Sequence, residues 1–273
     1  MPLRPIVARL LATAVAICAL ALSAGGCSNI GAPDTTASIS AANTTSANEA
    51  ESRRSLDTLG ARYRENPGDV DAAIAYARAL RAIDQRAQAV AVLQQASIRN
   101  PRNMPALGAY GLALADAGQY QKALETLDRA HTPDNPDWRI LNVQGAVLDQ
   151  VGRHDEAQRH YASALKIMPD EPAVLSNLGL SYLLTKDLKN AETTLRRAVA
   201  QQNAGPKVRQ NLALVVGLRG RFDEAKKIAS ADLPESEAAA NVAYLQQMLA
   251  QQRDTKDAKK VGRAYMPTPN PGS

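Results

Sequence analysis

The chain has 273 residues, a net charge of +5 and 4% aromatic residues, and both of its cysteines lie within the first 27 positions. That charge is too mild to argue for a nucleic-acid partner, and the early cysteines leave none for a disulfide framework in the body of the chain. Three histidines, His131, His154 and His160, none in His-Glu-x-x-His spacing, offer no metal motif, and no Gly-x-Ser-x-Gly or Gly-Lys-Ser/Thr sequence is present, so hydrolase, zinc and phosphate-loop chemistries lack their residues.

At the N-terminus, Arg4 and Arg9 flank the start of an uncharged apolar run from Leu10 to Leu22. The run is shorter than the roughly 20 residues of a spanning helix and reads as an export signal. It ends in Ser23-Ala24-Gly25-Gly26-Cys27. Small residues directly before a cysteine resemble the lipobox of bacterial lipoproteins, with Ala24 where that family more often has Leu. The resemblance implies that residues 1–26 are a lipoprotein signal peptide and that the Cys27 thiol carries diacylglycerol. An ordinary signal peptide, cleaved without lipid, is the alternative. Ser28, rather than Asp, after the cysteine implies an outer-membrane address by the same resemblance. Residues 27–48 are rich in Ser, Thr, Ala and Asn. They cannot bury enough apolar surface to offset their ordering entropy, and read as a flexible lipid-proximal tether with a reach of roughly 25 Å.

Residues 49–69 place Leu56, Leu59 and Tyr63 on one helical face and read as an N-terminal capping helix. From 70 to 231 the chain repeats every 34 residues: Ala89, Ala123, Ala157, Ala191 and Ala225; Ala96, Ala130, Ala164 and Ala198; Ala77, Gly111, Gly145, Gly179 and Ala213; and Leu93, Leu127, Tyr161 and Leu195. Four registered series without an insertion predict five repeats, each a pair of helices. Gly118, Gly152 and Gly220 fall between the two helices, where a left-handed residue ends the first. Asp155-Glu156 and Asp223-Glu224 open the second, where the helix dipole favours negative charge. The Ala/Gly series mark close helix crossings, and the Leu/Tyr series fills the gap to the next repeat. Residues 232–252, with Val242, Leu245, Met248 and Leu249, read as a C-terminal capping helix. Residues 253–273, charged and then proline-rich, read as a disordered tail. The expectation is one domain of about eleven to thirteen helices, with no strand pattern.

This period resembles the tetratricopeptide-repeat family, whose 34-residue unit carries a small residue in its first helix, Ala-x3-aromatic in its second and Pro at its end. The fourth repeat shows it in Leu178, Gly179, Tyr182, Ala191, Leu195 and Ala198; the third in Gly145, Ala157, Tyr161, Ala164 and Pro169. The first and fifth repeats match least. The resemblance implies an all-α tetratricopeptide-repeat solenoid, a right-handed superhelix of antiparallel helix pairs with flanking capping helices. It further implies a non-catalytic scaffold whose first helices line a groove for a protein partner.

Asn177 and Asn211 occupy equivalent first-helix places, followed by Leu180 and Leu214. Amides can both donate to and accept from a peptide backbone, so these four form the candidate partner-binding groove; service to local structure is the other reading of the asparagines. Basic residues gather late, at Arg196, Arg197, Lys207, Arg209, Arg219, Arg221, Lys226 and Lys227, against Asp223 and Glu224. A solvated helix surface is one reading, and a basic patch around Arg219 and Arg221 for an acidic partner is the other. His154 and His160 are expected on the solvent side of their helix. No cofactor or metal site is expected. Ile74 and Gly108 stand where the carboxylate-clamping members have Lys, which argues against that ligand class.

The whole layout resembles the pilus assembly lipoproteins of the Flp, or tight-adherence, secretion system. It implies a scaffold anchored by its N-terminal lipid to the periplasmic face of the outer membrane, with a secretin or another pilus-assembly component as partner. An adaptor lipoprotein that docks a periplasmic peptidase or cell-wall hydrolase onto its substrate is the alternative. Cys27→Ser is expected to release the protein from the membrane fraction, as fractionation will read. Mass spectrometry of an unlipidated wild-type N-terminus would rule the anchor out.

Overall fold

The computed structural model describes residues 53–264, with side chains through residue 252; the expected signal peptide, Cys27, the tether and the proline-rich end lie outside the described residues. The described residues form twelve helices and no strand, with one isolated bridge between Thr132 and Asn135. They fall into two compact units, one through Pro101 and one from Arg102, where the unbroken period predicts one domain. Repeats of this kind contact only their sequence neighbours, so a division at a repeat boundary leaves each helix pair intact.

The first unit holds α1 (53–65), α2 (Val70–Ala82) and α3 (Arg86–Arg99). Asp69 starts α2 by accepting from the Ala72 amide at 3.0 Å, so one of the orphan first-turn donors is satisfied. Ala72, Ala73, Ala77 and Leu80 face Ala89, Leu93 and Ala96 in the buried core. The capping helix forms as predicted, with Leu56, Leu59 and Tyr63 half-buried on one face. Tyr63 stacks on Tyr76 with ring centroids 5.8 Å apart, and Gly60 lies directly against the Tyr76 ring.

The second unit runs through four helix pairs, α4 (Met104–Asp116) with α5 (Tyr120–Leu127), α6 (Trp138–Gln150) with α7 (His154–Ile167), α8 (Pro172–Leu184) with α9 (Leu188–Val199), and α10 (Pro206–Leu218) with α11 (Phe222–Ala229). It closes with α12 (Glu235–Ala264). First helices begin on a side-chain cap or an early proline: Asn103 caps α4, Asp137 caps α6, and Pro105, Pro172 and Pro206 stand at the starts of α4, α8 and α10. A proline there lacks only a donor that the helix start leaves unused.

The turn inside each repeat is left-handed at one fixed place. Gly118, Gly152 and Gly220 have φ of +73°, +81° and +83°, and Asp84 and Lys186 fill the same place in the other two repeats at +62° and +67°. The geometry belongs to the turn, so the two side-chain-bearing residues adopt it at a cost of about 1–2 kcal/mol each.

Alanines of the second-helix series are buried throughout: Ala89, Ala123, Ala157 and Ala191 at 0% and Ala225 at 1% exposure. A Cβ on Gly145 would meet the Tyr161 ring at 2.5 Å, and one on Gly179 would meet Leu195 at 2.6 Å. The Leu/Tyr series therefore sits first on the small residue of its own repeat, a contact that the sequence reading assigned only to the next repeat. It reaches the next repeat as well: Tyr161 shares a core cluster with Val174 and Leu178, and Leu195 with Leu212, Val215 and Val216.

The C-terminal helix corrects one boundary. It continues to Ala264, past the Arg253 start predicted for an irregular tail. Between Arg253 and Lys260 the chain holds Lys, Ala, Arg, Asp and Thr with no proline before Pro267, and nothing there breaks a helix already begun. Its N-terminal part caps the stack: Ala238 is fully buried against Ala213 and Ala229, and Leu245 lies on Gly217.

Ala157→Leu or Ala191→Leu is expected to lower unfolding free energy by roughly 1–3 kcal/mol through overpacking, whereas Ala162→Leu, on the exposed side of α7, should be near neutral. Denaturant melts followed by circular dichroism provide the comparison.

Candidate functional site

The predicted groove residues fall together on the first helices of repeats four and five. Asn177 and Leu180 lie on α8, Asn211 and Leu214 on α10, all half-buried. Leu180 and Leu214 pack at the margin of one core cluster, and Leu184 and Leu218, one turn further on, are half-buried as well. The four leucines form a patch across two adjacent helices, with i,i+4 spacing on each.

Both asparagines also bind the preceding first helix. Asn177 Nδ2 donates to Asn142 Oδ1 at 2.9 Å, and Asn211 Nδ2 donates to Ser176 Oγ at 2.9 Å. This is a ladder that joins α6 to α8 and α8 to α10. Each amide keeps one further N–H and its carbonyl oxygen beyond that bond. The structural reading of these residues thus has a definite partner, and the ligand reading retains one donor and the carbonyl acceptor of each amide.

Arg219 and Arg221 have a different role from the one their sequence context suggests. Both guanidiniums donate to the Glu192 carboxylate, which Arg196 also contacts at 2.8 Å. Glu224 closes the network through Arg196 and through Arg221, the latter at 3.1 Å. Glu192 is 5% exposed. Burial alone would raise its carboxyl, but hydrogen bonds from Arg221, Arg196 and Arg219 outweigh that and hold it at about 2. Three more of the late cations pair likewise: Arg197 with Asp170, Lys226 with Glu235 at 3.0 Å, and Arg209 with Asp232 through two bonds of 2.7 and 2.5 Å. Asp232 stands where the fifth repeat loses its motif, and its bond from Arg209 lowers its carboxyl. The predicted basic patch is therefore an ion-pair network.

A second polar hub lies between repeats three and four. Asp149, at the end of α6, accepts from His154 Nδ1 at 2.8 Å, the Tyr161 hydroxyl at 3.0 Å and the Ser181 hydroxyl at 2.9 Å. Burial, with Asp149 adding to it, pushes the Tyr161 phenol far up. Ser, His and Asp meet here, but Ser181 donates straight to Asp149 and is fully buried. A nucleophile needs the histidine as its base and an open approach, so this arrangement is structural. His154 and His160 are half-buried instead of facing solvent: His154 is held by Asp149, and His160 buries its Nδ1. Beside this hub a shallow polar pocket of about 350 Å³ is lined by Gly152, Arg153, His154, Asp155, Glu156, Arg159 and Thr185.

Among the described residues no group of His, Cys, Asp and Glu could hold a metal ion, and no helix is long and apolar enough to cross a membrane. Sequence reading missed Glu192 and Asp149. Glu192 follows Ala191 at a place that Val90, Leu124, Gln158 and Lys226 hold in the other repeats, a mixed position that carries no signal of a buried carboxylate.

Two stretches match models of the tetratricopeptide repeat, residues 77–137 and 150–215, and the fold is a tetratricopeptide-repeat solenoid. The chain thus carries tetratricopeptide repeats over those residues, a repeat class that scaffolds protein–protein interaction and is typically non-catalytic. No curated protein sequence matches it. Among solved structures, PilW, a widely conserved type IV pilus biogenesis factor, aligns with a TM-score of 0.61 at 15% identity over 77% of this chain and 100% of its own. PilF of Pseudomonas aeruginosa aligns with a TM-score of 0.54 at 20% identity over 75% of this chain and 93% of its own. The Cut9–Hcn1 anaphase-promoting complex structure aligns with a TM-score of 0.58 at 16% identity over 72% of this chain, which spans only 40% of that one.

Glu192→Gln provides a test of the ion-pair network. The Glu192 carboxyl lies below its ordinary value of 4.5, so its contribution is present above that pH and is lost as pH falls from 4.5 towards 2. The variant is expected to be less stable at neutral pH and to show a shallower loss across that window, read as urea midpoints against pH.

Proposed function

We propose that this protein is a lipid-anchored periplasmic scaffold that assists assembly of a Flp or type IV-like pilus, with a secretin or another pilus-assembly component held in the groove of repeats four and five. The observation that carries the groove assignment is the leucine patch of Leu180, Leu184, Leu214 and Leu218, bordered by the Asn177 and Asn211 amides. Apolar contacts supply binding energy, and a few placed polar groups fix orientation. The pilus part rests on the lipobox-like Cys27, on a layout resembling the Flp pilus assembly lipoprotein TadD, and on the likeness of fold to PilW over that protein's full length. That likeness supports the reading through fold alone.

Asn177→Ala combined with Asn211→Ala is expected to weaken partner binding at least tenfold, about 1.4 kcal/mol, because each lost amide contact is worth about 0.5–1.5 kcal/mol. Asn142→Ala with Ser176→Ala, which breaks the ladder but leaves the groove amides, should bind nearly as wild type. The readouts are co-purification of the partner and secretin multimer formation in cells. Equal losses in both double variants would reassign the asparagines to structure. Intact pilus and secretin assembly in a deletion strain, with a periplasmic hydrolase losing its target, would turn the reading to the adaptor class.

A further inference from the structure

The junction of repeats two and three departs from the others in three ways. Helix α5 stops at Leu127 after 8 residues, where α7 has 14 and α9 has 12, yet the 34-residue step from Ala130 to Ala164 is kept. The difference is taken up by an irregular loop, 128–137, closed by the Thr132–Asn135 bridge. The side chains also differ in kind: Gln144 stands where other repeats have Tyr76, Tyr110, Leu178 and Leu212, and His160, a titratable ring, where they have the non-ionising Val92, Thr126, Thr194 and Ile228. Finally, three fully buried side-chain atoms there lack a hydrogen-bond partner, namely His131 Nδ1, Gln144 Oε1 and His160 Nδ1.

Gln144 and His160 both interact with one carboxylate, that of the exposed Asp128. Gln144, 1% exposed, donates its amide to Asp128 Oδ1 at 2.7 Å. His160 on α7 is influenced by Asp128 and His131 from the loop, and by Glu156 and Arg159 on its own helix. Arg153, at the start of α7, acts on Asp128 from the other side and is paired with Glu156 at 2.6 Å. A buried polar group without a partner costs free energy, and a site with two imidazoles among such groups responds to their proton count.

We propose that Asp128, His131, Gln144 and His160 form a pH-sensitive latch at the junction of repeats two and three, closed while His160 is neutral and loosened when its ring takes up a proton. Protonation makes both ring nitrogens donors and adds a charge to a half-buried ring whose Nδ1 is out of contact with solvent. Burial, the largest influence, holds the His160 ring below its ordinary value of 6.5, against the pull of Asp128. The closed form therefore binds fewer protons than the opened one, so closure is favoured at high pH and is lost as pH falls below 6.5. The step loosens one boundary of the stack while the ladder between α8 and α10 stays formed.

The test is hydrogen exchange by mass spectrometry on the full chain at about pH 7.5 and pH 5.5, corrected for intrinsic exchange, a range that brackets ordinary histidine titration. Peptides covering 128–144 in wild type should exchange several-fold faster at the lower pH, and those covering 206–218 should not change. His160→Gln should abolish the difference, and Asp128→Asn, which removes the carboxylate that favours the charged ring, should enlarge it. An unchanged pH response in His160→Gln overturns the proposal, as does a response that disappears only in His131→Gln. If His160→Gln fails to fold, the ring is titrated by NMR in wild type. A midpoint below 6.5, accompanied by shifts of the Gln144 amide, supports the latch; a midpoint at or above it overturns the latch.

Discussion

The contact between a residue with almost no side chain on a first helix and a large one on the second sets the spacing of everything else. Gly111 under Leu127, Gly145 under Tyr161 and Gly179 under Leu195 leave no room for even one added carbon, which would meet its neighbour at 2.5–2.6 Å. Two helices that approach this closely leave only alanine beside the contact, hence the fully buried Ala123, Ala157 and Ala191. The large residue then projects beyond its own pair into the next first helix, as Leu195 does among Leu212, Val215 and Val216. One interaction thus joins the pair and begins the stack, and cores packed at crystal density transmit that constraint with little slack.

Polar contacts form a second layer, and several of them run between repeats. Asn142 to Asn177, Ser176 to Asn211, Asp149 to Ser181, and Glu192 to Arg219 and Arg221 each join residues 27 to 35 positions apart. Apolar packing alone would tolerate some sliding of one pair past the next. A buried carboxylate held by three guanidiniums does not, because a shifted register would take away Arg219 and Arg221 and leave it with Arg196 of its own helix alone. The net stability of such a network is small; its effect here is to fix the register that the leucine and tyrosine contacts require.

How much of this was legible in sequence follows from range. The period, the small-residue series, the left-handed glycines and the acidic helix starts are local or strictly repeated, and the structure has each of them. The left-handed turns at Asp84 and Lys186 were hidden because the residues there lack the glycine signature. The fate of the late arginines was hidden for another reason: their acidic partners Asp170, Glu192 and Asp232 lie outside the stretch that looks basic. A charge count over a window sees helix-surface neighbours and is blind to pairs one repeat apart. For the same reason Asn177 and Asn211 could be placed on the groove face, whereas their bonds to Asn142 and Ser176 could not be read. The C-terminal helix outran its predicted end because composition near Arg253 suggests solvation, which a helix tolerates equally well.

These energetics also decide between the two surfaces that the sequence offers to a partner. Arg219 and Arg221, 39% and 41% exposed, already give donors to Glu192, so an acidic ligand there would share guanidiniums that are partly neutralised. A new surface ion pair returns about 0–1 kcal/mol. In the leucine patch, Leu180, Leu184, Leu214 and Leu218 are half-buried already and covering their remaining surface gains about 25 cal/mol per Å². The amides beside them each retain a donor and an acceptor, enough to orient a ligand without being the source of its affinity. The leucine face of the first helices is thus the surface that the proposed docking would use, and the arginines are already engaged within the stack.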